Sequence, residues 1–308
     1  MRILRPLALL LAALVVLTAC TGDPEPAPAP EPSEPGEPSP SPTVARDLTE
    51  LEEQYEATLG VYAIDTETGQ SVEHNADERF AFASTIKALA VGALLYEKPQ
   101  DVLEQTVEID QSAVVDFSPQ IEEALENGDT ELTVREIADA AVRYSDNTAG
   151  NLLFDLIGGP DELQGVLREI GDETTVVARR EPELNDYEPG DERDTTTPQA
   201  LAESLRFFTL GDDVDGYDRA LLTDLMVRNT TGDDLIRAGV PEEWEVADKT
   251  GAAAYGTRND VAVLRRAGAA PIVLVIMSRK DEPDAEFDDD LIADATRIVV
   301  STFTDEDE

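Results

Sequence analysis

The sequence predicts an α/β protein of the α+β type: an antiparallel sheet built from both chain ends, flanked by helices, with an all-helical subdomain inserted between its halves. Three observations carry this. Gly60 to Asp65 and Gln70 to Glu73, split by Thr66-Glu67-Thr68-Gly69, read as an early hairpin. Glu245 to Lys249, Asn259 to Leu264 and Pro271 to Ser278 read as three strands near the other end. Between them lies a run of segments with helical periodicity. Strands at both ends enclosing helices imply one sheet with an insertion. The groove where the two parts meet is the natural place for a site.

Residues 1–19 carry Arg2 and Arg5 and then an apolar run from Leu7 to Leu17. That run is too short to span a membrane stably but suits a secretory leader. It ends Leu17-Thr18-Ala19-Cys20, and Cys20 is the chain's one cysteine. Residues 20–45 form a second segment; from Thr21 to Ala45 it holds nine of the nineteen prolines and five acids, with no basic or aromatic side chain. Alternating proline favours extended polyproline geometry, so a semi-rigid tether is expected ahead of a folded domain at 46–308.

Within that domain Leu48, Leu51, Tyr55 and Leu59 mark a helix from Asp47 to Leu59. After the hairpin, Ser84 to Tyr96 is apolar on nearly every face and should be a buried helix. Leu132 to Tyr144 opens with the capping box Thr133-x-x-Glu136. Helices also fit Thr148 to Ile157, Asp161 to Ile170, Pro198 to Thr209 and Arg219 to Met226, around an irregular stretch from Arg179 to Thr197. Asp284 to Phe303 reads as a closing helix.

Charge and composition exclude several functions. The chain has 67 acidic and 23 basic residues, a formal charge of -44. Such a surface repels nucleic-acid phosphates. One cysteine and one histidine, His74, cannot build a structural disulfide or a Cys/His metal site. Ser-His-Asp catalysis would have to rest on His74 alone, and His74 is expected at the surface. Hydrolytic chemistry has to run on hydroxyls, amines and carboxylates, with no metal and no cofactor. Only four lysines exist, so the place of each is informative.

Ser84-Thr85-Ile86-Lys87 sets a hydroxyl and an amine three residues apart at the start of a buried helix, on one face. Burial favours the neutral amine, and the helix N-terminus favours negative charge near Ser84. Alone, the pair fits a helix cap and a solvent-reaching lysine as well. Ser145-Asp146-Asn147 falls on a turn between helices, with Asn151 four residues beyond Asn147 and so on its face. Lys249-Thr250-Gly251 ends a strand, where glycine admits a ligand to the backbone.

Ser-x-x-Lys, Ser-Asp-Asn and Lys-Thr-Gly, in this order on helix, turn and strand, resemble the motif set of the penicillin-recognising serine enzymes. The chain is similar in particular to the class A serine β-lactamases, because Glu181-Pro182-Glu183-Leu184-Asn185 matches their E-x-x-L-N. The stretch from Arg179 to Asp194 resembles their Ω-loop, tied at its ends by an Arg-Asp pair assigned to Arg179 and Asp194. The resemblance implies Ser84 as nucleophile, with Lys87 or Glu181 through water as its base, and Glu181 with Asn185 holding the water that hydrolyses the acyl-enzyme. It implies Ser145 as proton relay, Asn147 for the substrate amide, and Lys249, Thr250 and Gly251 for its carboxylate end. The backbone N–H groups of Ser84 and Ala252 become the oxyanion hole. Arg258 is favoured over Arg237 as the carboxylate-binding guanidinium. Phe117 matches the aromatic at the cleft mouth, although the segment before Ser145 is a few residues longer than is usual in that family. Ala252-Ala253-Ala254 departs from the Ser-Gly-Gly of some cephalosporin-hydrolysing members.

The end of the leader resembles the lipobox of bacterial lipoproteins, which implies lipid attachment at Cys20 and a protein anchored to the outer face of the cell membrane. A monomer is expected, with a β-lactam as its small-molecule partner. The alternatives are a D,D-peptidase or penicillin-binding protein, and a non-catalytic lipoprotein on the same fold. The charge raises one more expectation, adaptation to high salt, against a compositional bias for arginine over lysine.

Overall fold

The computed structural model describes residues 42–304; the leader, Cys20 and the tether as far as residue 41 lie outside the described residues. Helix α1 (Pro42–Tyr55) leads into β1 (Thr58–Asp65), β2 (Ser71–His74) and the short β3 (Phe80–Ala81). The helical part follows with α2 (Ile86–Glu97), β4 (Thr106–Glu108), α3 (Pro119–Glu126), β5 (Glu131–Thr133), α4 (Val134–Arg143), α5 (Asn147–Ile157) and α6 (Pro160–Glu169). A loop then reaches β6 (Thr195–Thr196), α7 (Pro198–Leu210), α8 (Gly216–Val227) and the short α9 (Ile236–Gly239). Strands β7 (Glu245–Ala253), β8 (Thr257–Arg265) and β9 (Ile272–Arg279) precede α10 (Asp289–Ser301).

The main sheet has the order β2-β1-β9-β8-β7, and its neighbouring strands pair antiparallel. Strands from both ends of the folded region thus meet where β1 pairs β9, as the sequence predicts. Alternation sorts their side chains onto two faces. Val61, Ala63, Ala262, Leu264, Leu274 and Ile276 pack with α1 and α10, where Leu48, Leu51, Ile292 and Val299 are buried. Val261, Val263, Val273, Val275 and Met277 join the larger core under the helices, with Leu89, Phe154 and Leu205. A sheet covered on both sides explains the unbroken apolar runs Val261 to Leu264 in β8 and Ile272 to Met277 in β9.

Several boundaries differ from the sequence reading. Helix α1 begins at Pro42 rather than Asp47, so the last residues assigned to the tether belong to the fold, with Val44 buried. A proline suits a first helical turn, where its missing N–H has no intrahelical partner to lose. Ser84 lies on a 3₁₀ turn, Ala83–Thr85, just ahead of α2 and not inside an α-helix. Lys249-Thr250-Gly251 sits within β7 and not at its end, because Thr250 to Ala253 continue to pair with Asp260 to Thr257. Residues 284–288 precede α10 instead of forming its first turn. Helix α3 and the β4–β5 ladder carry no pattern noted in the sequence. His74 is not an open surface residue: its ring is largely buried where β2 meets α1, with Nε2 3.1 Å from Glu52 Oε2.

Candidate active site

Ser84 stands where the 3₁₀ turn feeds the N-terminus of α2. Ala83 before it has φ +49°, a left-handed conformation that costs a non-glycine residue energy and is held by its surroundings. Thr85 Oγ1 donates to the Phe82 carbonyl at 2.6 Å and Asn259 Nδ2 to the Ala81 carbonyl at 2.8 Å, which fixes the turn against β8. A Cβ on Gly251 would lie 3.0 Å from the Phe82 carbonyl oxygen and 3.1 Å from Ala83 Cβ. Glycine is what lets β7 come this close to the nucleophile's turn.

Lys87, at the first turn of α2, is 1 % exposed. Its Nζ lies 3.0 Å from Ser84 Oγ, 2.8 Å from the Ser145 carbonyl, 2.7 Å from Asn147 Oδ1 and 2.8 Å from Glu181 Oε1. Ser84 Oγ also reaches Glu181 Oε1 at 3.4 Å. Burial pushes the Lys87 ammonium below its ordinary value, and the attraction of Glu181 only partly offsets this. A Cβ on Gly150 would fall 2.8 Å from Lys87 Cε, so α5 packs directly against the amine.

The second triplet is held by its middle residue. Asp146 is fully buried and caps α5 by accepting from Ala149 N–H at 2.8 Å; its other oxygen accepts from Gln120 and Ile121 N–H at the start of α3, both at 3.0 Å. With Asp146 pinned, Ser145 and Asn147 face the cleft. Ser145 adopts φ +59°. Asn147 accepts from Lys87 and donates to the Asp116 carbonyl at 2.9 Å.

The third triplet closes the far wall. Lys249 Nζ donates to Ser145 Oγ at 3.0 Å and to the Thr250 carbonyl at 2.8 Å, and Thr250 Oγ1 lies 2.6 Å from Thr231 Oγ1. Burial, and then repulsion from Lys87, pull Lys249 down to about 7, against the attraction of Asp248, Asp260 and Glu181.

Glu181 comes from the loop between α6 and β6. Arg179 Nε donates to Asp194 Oδ2 at 2.5 Å, and Asp194 Oδ1 accepts the backbone N–H of Ala178 and Arg179 at 2.9 and 3.0 Å. This ties the loop's neck where the sequence places the pair. Asn151 clamps the Glu181 backbone, donating to its carbonyl at 2.8 Å and accepting its N–H at 2.9 Å. Asn185 Nδ2 donates to Glu181 Oε2 at 2.6 Å. Asn151 thus serves Glu181 and Asn147 serves Lys87, a division that their shared face leaves open at the level of sequence. Thr231 was not foreseen, because its link to Thr250 joins separate segments and no local pattern marks it.

These groups line a cleft of about 310 Å³ formed by Ser84, Phe117, Ser145, Asn147, Asn185, Thr231, Thr250, Gly251, Ala252 and Arg258. A larger hollow of about 630 Å³, lined by Asp172, Glu203 and Phe207 among others, contains none of them. Phe117 is 63 % exposed at the cleft, and its carbonyl accepts the Asn147 N–H at 3.0 Å, so the longer segment before Ser145 has not displaced it. Arg258 lines the cleft with Nε 2.6 Å from Asp289 Oδ1 and its guanidinium 4.6 Å from the centre of the Phe287 ring. Arg237 is spent elsewhere, on buried Asp248 and on the Met226 and Val227 carbonyls. His74 is not among the cleft residues.

A family model described as "Beta-lactamase enzyme family" matches residues 43–303. The chain belongs to this family. It is 52 % identical over 253 residues to Beta-lactamase 3 of Bacillus cereus, covering 82 % of this chain and 79 % of that one. The crystal structure of a class A beta-lactamase from Clostridium kluyveri superposes with TM-score 0.83 at 43 % identity, covering 85 % of this chain and 99 % of that one. That of a halotolerant bacterial beta-lactamase gives TM-score 0.81 at 51 % identity, covering 83 % and 98 %. The α+β architecture with its inserted helices is therefore the class A beta-lactamase fold, and the triplets lie where β7, α2 and α5 of that fold converge.

Proposed function

We propose that this protein hydrolyses the amide bond of β-lactam antibiotics through an acyl-enzyme on Ser84, and so confers resistance to them. The observation that carries the reading is one hydroxyl served by two proton acceptors: Ser84 Oγ lies 3.0 Å from Lys87 Nζ and 3.4 Å from Glu181 Oε1, and both acceptors are buried.

The lactam docks with its carboxylate toward Lys249, Thr250 and Arg258 and its side-chain amide toward Asn147. Ser84 gives up its proton to Lys87, or to Glu181 through a water, as its Oγ bonds to the lactam carbonyl carbon. The carbonyl oxygen becomes an oxyanion, received by the N–H groups of Ser84 and Ala252. Strand β7 is the terminal strand of its sheet, which supports this role, since alternate N–H groups on an edge have no strand partner. Each such donor is worth roughly 3 to 4 kcal/mol in a hydrolase of this logic. The C–N bond breaks and Ser145, hydrogen-bonded to Lys249, passes a proton to the nitrogen. Glu181, held by Asn185 and Asn151, then takes a proton from water as the water oxygen attacks the ester carbon; the bond from that carbon to Ser84 Oγ breaks, and Oγ regains a proton from the Lys87–Glu181 pair.

The groups named in this sequence form a complete set within one chain, so the proposed chemistry needs no second copy. The Leu17-Thr18-Ala19-Cys20 sequence and the proline-rich segment after it support a lipid anchor at Cys20 and action at the outer face of the membrane. Two experiments test the whole reading. Purified protein is mixed with a simple penicillin and with a chromogenic cephalosporin; a stable covalent adduct on Ser84 with no hydrolysed product would make it a penicillin target instead. Cell fractionation of the parent and of Cys20→Ser tests the address, and equal membrane association of the two removes the lipid.

A further inference from the structure

An aromatic contact links the loop that carries Glu181 to the β7–β8 turn, and the chemistry above makes no use of it. Tyr187, two residues beyond Asn185, is 7 % exposed, and its ring stands edge-on to that of Tyr255, with centroids 5.8 Å apart and planes at 81°. This is the geometry in which the positive edge of one ring meets the negative face of the other.

Tyr255 occupies a demanding place. Thr257 N–H donates to the Ala254 carbonyl at 3.3 Å, with Tyr255 at φ +58° and Gly256 at φ +57° between them. A two-residue hairpin turn with both central residues at positive φ favours Asn or Gly at the first position, not tyrosine. The backbone of Tyr255 is nevertheless fixed: its N–H donates to the Pro283 carbonyl at 3.1 Å and its carbonyl accepts from Lys280 N–H at 2.7 Å. One residue earlier, Ala254 N–H donates to the Asn185 carbonyl at 3.3 Å, and the same oxygen accepts from Tyr187 N–H at 2.9 Å. The side-chain amide of Asn185 is the one that holds Glu181 Oε2. One backbone bond of the turn therefore reaches the residue that orients the hydrolytic carboxylate, and the ring of the turn's strained residue reaches Tyr187 two residues beyond it.

We propose that Tyr187 and Tyr255 form a latch that holds the Glu181 loop to the β7–β8 turn, making both tyrosines positioning residues for hydrolysis of the acyl-enzyme. The inference rests on the reading of Glu181 and Asn185 given above. With Lys87 as the base that takes the Ser84 proton, acylation runs on Ser84 and the helices α2 and α5, which the latch does not hold, so its loss slows the second half of the reaction selectively.

The test compares Tyr255→Gly, Tyr255→Phe, Tyr187→Ala and Glu181→Ala with the parent, using a simple penicillin, pre-steady-state kinetics and intact-protein mass spectrometry during turnover. Tyr255→Gly is expected to slow deacylation about tenfold, equivalent to about 1.4 kcal/mol, so that acyl-enzyme accumulates. Its kcat/KM, which reports acylation, should stay within about twofold of the parent. Its melting temperature should not fall, because glycine accepts positive φ without strain. Tyr255→Phe keeps the ring contact and should behave as the parent, while Tyr187→Ala should repeat the accumulation. Parent deacylation rates in both Tyr255→Gly and Tyr187→Ala, with Glu181→Ala trapping the adduct, would overturn the latch alone. Acylation and deacylation falling together with melting temperature would overturn it as well, since that is general loosening. If Glu181→Ala fails to trap an adduct, the latch falls together with the reading it rests on.

Discussion

Lys87 Nζ lies 2.8 Å from Glu181 Oε1, with both side chains withdrawn from solvent and Ser84 Oγ between them and the cleft. The two groups share Ser84 but need not share its reactions. With Glu181 removed, Lys87 loses the partner that favours its charge, so burial leaves it still more readily neutral and able to accept the Ser84 proton. Nothing then remains to activate the hydrolytic water. Glu181→Ala is expected to acylate and stall, with deacylation lower by about 10²- to 10⁴-fold, the usual contribution of a positioned general base. Mass spectrometry should find the intact penicillin added to the protein; unchanged turnover would strip Glu181 of its role.

Lys249 supplies a second prediction, from pH. Its value of about 7 means that the ammonium is present below pH 7 and lost above it in the free enzyme. A substrate carboxylate is attracted to the charged form only, so KM for a penicillin should climb above pH 7, by at most about tenfold per pH unit for one proton. The same group acts on stability in the opposite sense. The unfolded chain keeps the proton up to its ordinary 10.5, so from about 7 to 10.5 this lysine makes folding more favourable as pH rises. Lys249→Arg stays charged throughout and should flatten the KM profile. A profile identical to the parent's would separate the climb from Lys249.

The two arginines near β7 should fail in different ways. Arg258 reaches the cleft with its guanidinium steadied by Asp289 and Phe287, so Arg258→Ala is expected to raise KM by about 1.5 to 3 kcal/mol, the range for hydrogen bonds to charged groups, and to leave melting nearly unchanged. Arg237 compensates Asp248, which has no exposure, so Arg237→Ala strands a buried carboxylate at a cost of about 3 to 5 kcal/mol of stability. Melting curves and KM values for both variants check the split. A KM effect for Arg237→Ala with unchanged melting would reverse the assignment.

What the sequence made legible follows the range of each interaction. Ser84 with Lys87, Ser145 with Asn147, Lys249 with Thr250 and Glu181 with Asn185 are local sets, and the chemistry needs those residue types at those spacings. The Arg179–Asp194 tie spans fifteen residues, and it was legible only through resemblance. Thr231 against Thr250, Asn151 against the Glu181 backbone and His74 against Glu52 join segments that no period connects. Gly251 and the alanines after it have weak strand preference, and pairing with β8 overrides it to carry β7 past Lys249. Helix α1 starts ahead of Asp47 because Val44 and Leu48 share its buried face, a pattern that the proline tract conceals in the sequence.

The last prediction concerns salt. From Arg46 to the end the chain has 62 acidic and 21 basic residues, an excess of 41 negative charges on one fold. Arginine–carboxylate pairs such as Arg143–Asp139 and Arg228–Asp224 are partly exposed, and each is worth about 0–1 kcal/mol, which salt weakens. Those losses are bounded by the 21 cations, whereas the repulsion among about three acids per base acts over the whole surface. At molar salt the screening length falls to about 3 Å, so the repulsion is removed beyond contact distance. Repulsion dominates this balance, and the melting temperature is expected to rise between about 0.1 and 2 M salt, with roughly 2 to 4 °C for each kcal/mol relieved in a domain of this size. The rise should be alike in sodium chloride and potassium chloride, since screening does not distinguish them. A flat or falling melting temperature in both would mean that the acids are a bias of composition and not an adaptation to salt.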